Sequence, residues 1–224
     1  MRRLMVATAL VGGVVVVSGG AVTSAQAATF TCNGRAATIV GTDGDDELQG
    51  TAGADVIVGL GGNDFIVGNG GADTICGGSG DDEVFGDAME GLTGGGADTL
   101  FGDNGNDLVV GLSGNDTVHG GNGDDIAIGG PGNDAVHGDR GNDLVFGNFG
   151  NDTLTGGQGD DFLNGDLPFP FPPPEEEVPP GAYEDPNPNS DSCNGGAGVD
   201  ASTFCETESS IEQHPDPADV IFDV

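Results

Sequence analysis

The sequence predicts an all-β solenoid in which two nine-residue units make one coil. Three observations predict it. The phrase Gly-x-x-Gly-x-Asp-x-apolar-x recurs in phase from Gly41, at Gly50, Gly59, Gly68, Gly77 and Gly86, then at Gly102, Gly111, Gly120, Gly129, Gly138, Gly147 and Gly156. A unit this short cannot bury a core alone, so stacked copies must build it together. Composition agrees, with 45 glycines among 224 residues and no tryptophan.

Each column of the unit has a physical reading. Position 4 is always Gly, and glycine permits positive φ and close approach of backbone to a bound ion. Position 5 is commonly Asp, Asn or Ala, and Asp and Asn tolerate turn geometry. Position 6 is always Asp: Asp46, Asp55, Asp64, Asp73, Asp82, Asp98, Asp107, Asp116, Asp125, Asp134, Asp143, Asp152 and Asp161. Positions 7 to 9 read as a very short strand. Only position 8 points inward, and it is always apolar, as in Leu48, Ile75, Val118 and Leu163. Successive strands fall on opposite sides of the roll.

The aspartate column points to calcium. Calcium takes roughly 6–8 oxygen ligands and accepts carboxylates together with backbone carbonyls. One turn cannot surround the ion, but two same-side turns on successive coils can. The seven odd-numbered copies and the six even-numbered ones would then offer eleven inter-coil sites as an upper expectation. The insertion Ala88–Gly94 falls within one turn and is expected to remove one or two of them.

The phrase resembles the RTX, or haemolysin-type, calcium-binding nonapeptide over residues 41–164, with no Asp lost. The resemblance implies a parallel β-roll with calcium held between stacked turns. Position 2 departs from Gly at Leu60, Asn69, Asp87 and Leu112.

The elements expected along the chain follow in order. Residues 1–27 have a basic start, an apolar run and Ala25-Gln26-Ala27, which describe a cleavable secretory signal. Residues 28–40 form an N-terminal cap that includes a first strand at Thr38–Val40. Residues 41–166 are the roll. Residues 167–190, with nine prolines and Phe169 and Phe171, form a proline-rich loop within a fourteenth copy. Residues 191–205 hold degenerate repeats and a C-terminal cap, because Asp191-Ser192-Cys193-Asn194 restores positions 6 to 9 and Ser202 takes the inward slot of a fifteenth copy. Residues 206–224 are an acidic tail.

Four cysteines in an exported chain permit two disulfides. Cys32 and Cys76 fall on the same side of the roll, and Cys193 and Cys205 flank the last copy. The expected pairing is Cys32–Cys76 with Cys193–Cys205.

The formal charge of −34 becomes −36 once Arg2 and Arg3 leave with the signal. Such a chain repels itself unless cations neutralise it. Folding is therefore expected to depend on calcium, at extracellular rather than cytosolic levels. No basic patch exists to bind nucleic acid, and no segment beyond the signal is long and apolar enough to span a bilayer.

The outer positions 7 and 9 separate two faces. One carries Thr74, Thr99, Thr117 and Thr153 with His119 and His137. The two histidines should be neighbours one coil apart, either as half of a zinc site or as plain strand residues. The other face carries an apolar stripe that includes Phe65, Phe85, Leu108, Ile126, Leu144 and Phe146. Such a stripe suits burial under the proline-rich loop or self-association, unless it reflects strand propensity alone.

The sequence therefore reads as a secreted or surface-associated calcium-binding protein with a structural or interaction role, and not as an enzyme. It has no His-Glu-x-x-His, no Gly-x-Ser-x-Gly and no pore-forming helix. An accessory to, or remnant of, an RTX enzyme or toxin is the alternative. Ice binding is a remote one, since the threonine row is broken by Val56 and Ala135.

Overall fold

The computed structural model describes residues 30–88, 95–165 and 192–198, with the backbone strands at 201–203 and 207–209. The chain runs β1 (Thr31–Cys32), β2 (Arg35–Ala36), β3 (Ile39–Val40), β4 (Glu47–Gln49), β5 (Val56–Gly61), β6 (Phe65–Val67), β7 (Thr74–Ser79), β8 (Glu83–Phe85), β9 (Thr99–Asn104) and β10 (Leu108–Val110). It continues through β11 (Thr117–Asn122), β12 (Ile126–Pro131), β13 (Ala135–Arg140), β14 (Leu144–Phe149), β15 (Thr153–Gln158), β16 (Phe162–Asn164), β17 (Ser192–Ala197), β18 (Ala201–Thr203) and β19 (Thr207–Ser209).

Strands alternate between two parallel sheets, as the nine-residue period requires. The sheet built by the even-numbered copies, the even sheet, has nine strands from β3 to β19, and the sheet built by the odd-numbered copies, the odd sheet, has eight from β4 to β18. The register repeats every coil, with Val118 opposite both Leu100 and Val136. It also holds across the insertion, where Ile75 pairs with Leu100 and Val84 with Val109. The architecture is the parallel β-roll expected from the sequence.

The core is one side chain wide. Position-8 residues from Leu48 to Leu163 form a single buried cluster, joined by Ile39 at one end and Cys193 at the other. Burying each removes about 1.5–3 kcal/mol worth of apolar surface from water. Cys193 takes the inward slot opposite Leu154, and Ser202 pairs in register with Leu163. Two details differ from expectation. Most even-sheet strands run six residues, through positions 1 to 3 of the next unit, because the turn backbone goes on pairing with the coil beside it. Thr207–Ser209 adds a strand on β17, within the segment read from sequence as a tail.

The N-terminus folds back as a hairpin through Asn33 and Gly34, both at positive φ, as Asn-Gly turns require. Cys32 bonds to Cys76, the expected pair, and closes a 44-residue separation. Closing such a loop is worth roughly 4 kcal/mol in the chain-entropy account. Val40, Val56 and Val58 pack with Cys32 and Ala37, so the hairpin covers the first outer coils of the even sheet. Cys193 is itself disulfide-bonded. Its expected partner Cys205 lies outside the described residues.

The apolar stripe forms a second cluster on the odd sheet. Val67, Phe85, Val110, Ile128 and Phe146 are buried there, with Phe65, Leu108, Ile126 and Leu144 half-buried against them. Phe169 and Phe171, expected to cover it, lie outside the described residues.

Candidate metal centre

The site grows out of the turns. Every position-6 aspartate is buried, from 0% exposed at Asp143 to 7% at Asp55. Stacking arranges them in two columns, one per edge of the roll. Asp46, Asp64, Asp82, Asp107, Asp125, Asp143 and Asp161 form the odd column, and Asp55, Asp73, Asp98, Asp116, Asp134 and Asp152 the even one.

Within a column each backbone amide donates to Oδ1 of the aspartate one coil on. Asp107 N donates to Asp125 at 2.8 Å, and Asp125 N to Asp143 at 2.9 Å. Eleven such bonds link all same-edge neighbours. The insertion does not interrupt them, since Asp73 N donates to Asp98 and Asp82 N to Asp107.

The second oxygen is the informative one. Oδ2 of Asp64, Asp73, Asp82, Asp98, Asp107, Asp116, Asp125, Asp134 and Asp143 is buried and has no hydrogen-bond partner among the described residues. A buried polar atom left this way costs about 1–3 kcal/mol, more when charged. Nine copies of one defect are what a cation in the turns could satisfy together. Burial pushes these carboxyls up, to about 6 at Asp64, Asp98 and Asp107. It pushes Asp73, Asp82, Asp116, Asp125 and Asp143 to about 7, and Asp134 to about 8. The amide bond from the preceding coil pulls the other way, and neighbouring carboxylates add to the rise.

Glycine makes room for this. A Cβ on Gly77 would lie 2.5 Å from Asp82 Oδ2, so position 1 must lack one. Gly123 sits at φ +139 with its α-carbon against the carbonyl of Gly105, a conformation and an approach that only glycine accepts. Position 2 is also left-handed. Leu60, Asn69, Asp103, Leu112, Asp139 and Asn148 all adopt φ between 70° and 84° there.

Among the described residues no three acidic, histidine or cysteine side chains converge on one point. An ion held by two stacked aspartates must therefore complete its shell with backbone carbonyls. An all-oxygen donor set of this kind suits a hard cation such as calcium.

The column ends differ. Asp55 Oδ1 accepts from Thr38 Oγ1 at 2.9 Å, so the cap closes the even column. Asp46 begins the odd column, and its Oδ1 is buried without a partner among the described residues, although Thr42 donates to its Oδ2 through both N and Oγ1.

Three features escaped the sequence reading. Position 5 of the odd edge alternates strictly as Asp45, Asn63, Asp81, Asn106, Asp124, Asn142 and Asp160. Each backbone amide from Asn63 to Asp160 donates to the preceding side chain, so Asp81 and Asp124 are flanked on both sides by neutral amides. Sorting position 5 by parity would have found this. Asp87, at position 2 beside the insertion, is 5% exposed and burial raises its pKa. His119 and His137 are neighbours as expected, with stacked rings 4.6 Å apart. What the spacing hid is that His119 Nδ1 lies 2.9 Å from Asp139 Oδ2. The His119 ring holds the Asp139 carboxyl below its usual range. Burial, then His119, pushes His137 down.

No helix among the described residues is long and apolar enough to cross a membrane. Comparison with curated proteins finds no match. The family model for the RTX calcium-binding nonapeptide repeat matches residues 33–66, 40–75, 58–88, 92–127, 110–145 and 137–167, more than half of the chain. These are the same turns that carry the stacked aspartates, and the chain belongs to the RTX calcium-binding nonapeptide repeat family.

Proposed function

We propose that this chain is a secreted, non-catalytic protein whose roll folds as calcium enters its turns. The thirteen position-6 aspartates supply the charged ligands, and the Gly-rich turn backbone supplies carbonyls. The buried, unpartnered Oδ2 row carries the reading. Ionised carboxylates stacked about 4.8 Å apart in a dry turn repel one another. A divalent cation between them reverses that sign and satisfies the orphaned oxygens. Eleven linked same-edge pairs give eleven candidate positions, including those on either side of the insertion.

Folding then couples to calcium by mass action. Each independent site at ten times its dissociation constant adds about 1.4 kcal/mol to the folded state. Extracellular calcium modules work at roughly 10⁻⁴–10⁻³ M, which agrees with export by the signal at residues 1–27. Half-buried Phe65, Leu108, Ile126 and Leu144 supply the contact surface for self-association as a structural element outside the cell. Circular dichroism during a calcium titration, with calorimetric counting of ions, tests the reading. A β spectrum indifferent to chelator would end it.

A further inference from the structure

Beside the position-6 columns, a cavity of about 410 Å³ opens on the outer side of the even sheet, lined in part by Asp103, His119, Asn122, Asp139, Arg140 and Gln158, which occupy positions 9, 2 and 3 of the unit. It exists because of one missing side chain. Gly121 on β11 pairs with Asp103 on β9 and with Asp139 on β13. The two carboxylates therefore flank a glycine notch, two strands and roughly 9–10 Å apart. The row continues as Gly78, Asp103, Gly121, Asp139 and Gly157, so notch and tooth alternate along the stack.

The lining decides the ligand by elimination. Asp103 and Asp139 stand two strands apart, and Asp139 Oδ2 lies on His119 Nδ1, so no pair of carboxylates closes on a small cation here as adjacent coils do in the turns. Carboxylates on both sides repel an anion. Arg140 at the rim works against a simple cation, and the polar lining rejects an apolar guest. A neutral ligand that both donates and accepts hydrogen bonds remains. A hydroxyl does both at once: it donates to a carboxylate and accepts from an amide or guanidinium. Asp103 and Asp139 are the acceptors. Gln158, Arg140 and the second Nδ2–H of Asn122, beyond the one given to Asn104 at 2.9 Å, are the donors; of the five N–H groups of Arg140, one is engaged among the described residues, on Asn122 at 3.3 Å. The edges of the Phe101 and His119 rings, stacked 5.0 Å apart, add an apolar wall. The site rests on paired strands, so it is organised before any ligand arrives.

We propose that this groove binds a neutral, extended glycan whose successive rings lie along the stack from Asp103 to Gln158. Donors and acceptors recur strand by strand over β9, β11, β13 and β15, a run of roughly 14 Å, the reach of a short oligosaccharide. None of the groove side chains is a position-6 aspartate, but they stand on positions 9, 2 and 3 of the same units, so calcium is followed beside sugar in every test.

Titration of the calcium-loaded, full-length mature chain with cellohexaose and with chitohexaose, followed by calorimetry, tests this. Binding of at least one is expected. Asp103→Asn, which keeps the left-handed backbone accessible, and Asn122→Leu are each expected to weaken it at least tenfold. The charge-matched Asp43→Asn, at an exposed turn, is expected to leave it unchanged. Arg140→Gln, at an exposed position, serves if either groove variant fails to fold. Calcium stoichiometry is measured on every variant, so loss of the roll is distinguished from loss of the groove. Absence of binding to either sugar overturns the proposal, as does binding that survives the groove substitutions.

Discussion

The amide of Asp125 donates to Oδ1 of Asp143, one coil further on, at 2.9 Å, while Oδ2 of Asp143 stays buried without a hydrogen-bond partner among the described residues. One oxygen of the carboxylate holds the coils together, and the other is the one proposed to take a cation. The two roles can be separated by changing charge without changing shape.

Asp125→Asn keeps the Oδ1 that accepts from Asp107 N and removes the charge. Calorimetry should count one or two fewer calcium ions, since each aspartate serves the sites on both sides of it. The folding midpoint should move to higher calcium. In chelator at pH 8 the same variant should be no less folded than the parent, because a buried charge has gone. Lower stability in chelator would contradict the assignment.

The pH dependence has a definite sign. Burial raises these carboxyls from 3.8 to about 6 at Asp64, about 7 at Asp125 and about 8 at Asp134. A folded-state pKa above the unfolded one gives stability that is full below 3.8 and lost as pH rises through 6 to 8. Without calcium the roll should therefore show more β structure at pH 4 than at pH 8. Calcium affinity should fall over the same range as pH drops, because proton and ion compete for one oxygen. Circular dichroism in chelator across pH 4 to 8 checks the first statement, and proton release on calcium addition checks the second.

Gly123→Ala should destabilise the calcium-bound roll by about 2 kcal/mol or more, from the left-handed backbone and the contact with the Gly105 carbonyl. Gly44→Ala is the comparison, because a Cβ there meets nothing within 4 Å. Thermal melts of the two should differ clearly. Equal melts would mean that the coil spacing relaxes around a methyl group.

Replacing Cys32 and Cys76 together by Ser should cost roughly 4 kcal/mol, with the loss confined to the N-terminal coils. Hydrogen exchange should rise first in Val40 and Val56, which pack with Cys32. Uniform loss along the whole roll would show that the coils unfold as one unit.

Leu108→Thr, Ile126→Thr and Leu144→Thr together should lower the molecular mass in sedimentation if the apolar face joins two copies, with calcium binding retained. Unchanged mass would remove self-association from the proposed role.

Much of this molecule is legible one residue at a time. The inward slot, the side of each strand, the Cys32–Cys76 pair and the seat of Cys193 all follow from counting in nines. A strand shows its faces alternately, and an in-phase repeat leaves no freedom in register. Other features were hidden because a period says which residues are neighbours and not which atoms meet. The proximity of His119 to Asp139 spans twenty residues and two positions in the unit, so no single column contains it.

The sequence by itself determined a two-sheet roll, its one-residue core and the residues that carry charge into the turns, because those depend only on period and polarity. Tertiary structure decided the burial of the aspartates, the split of nine of the carboxylates between a structural oxygen and an open one, and the notch at Gly121 between Asp103 and Asp139. All three need the coil above and the coil below. Desolvation and hydrogen-bond partnership belong to stacked neighbours eighteen residues away, or twenty-five across the insertion, and exist only once the chain has wound onto itself.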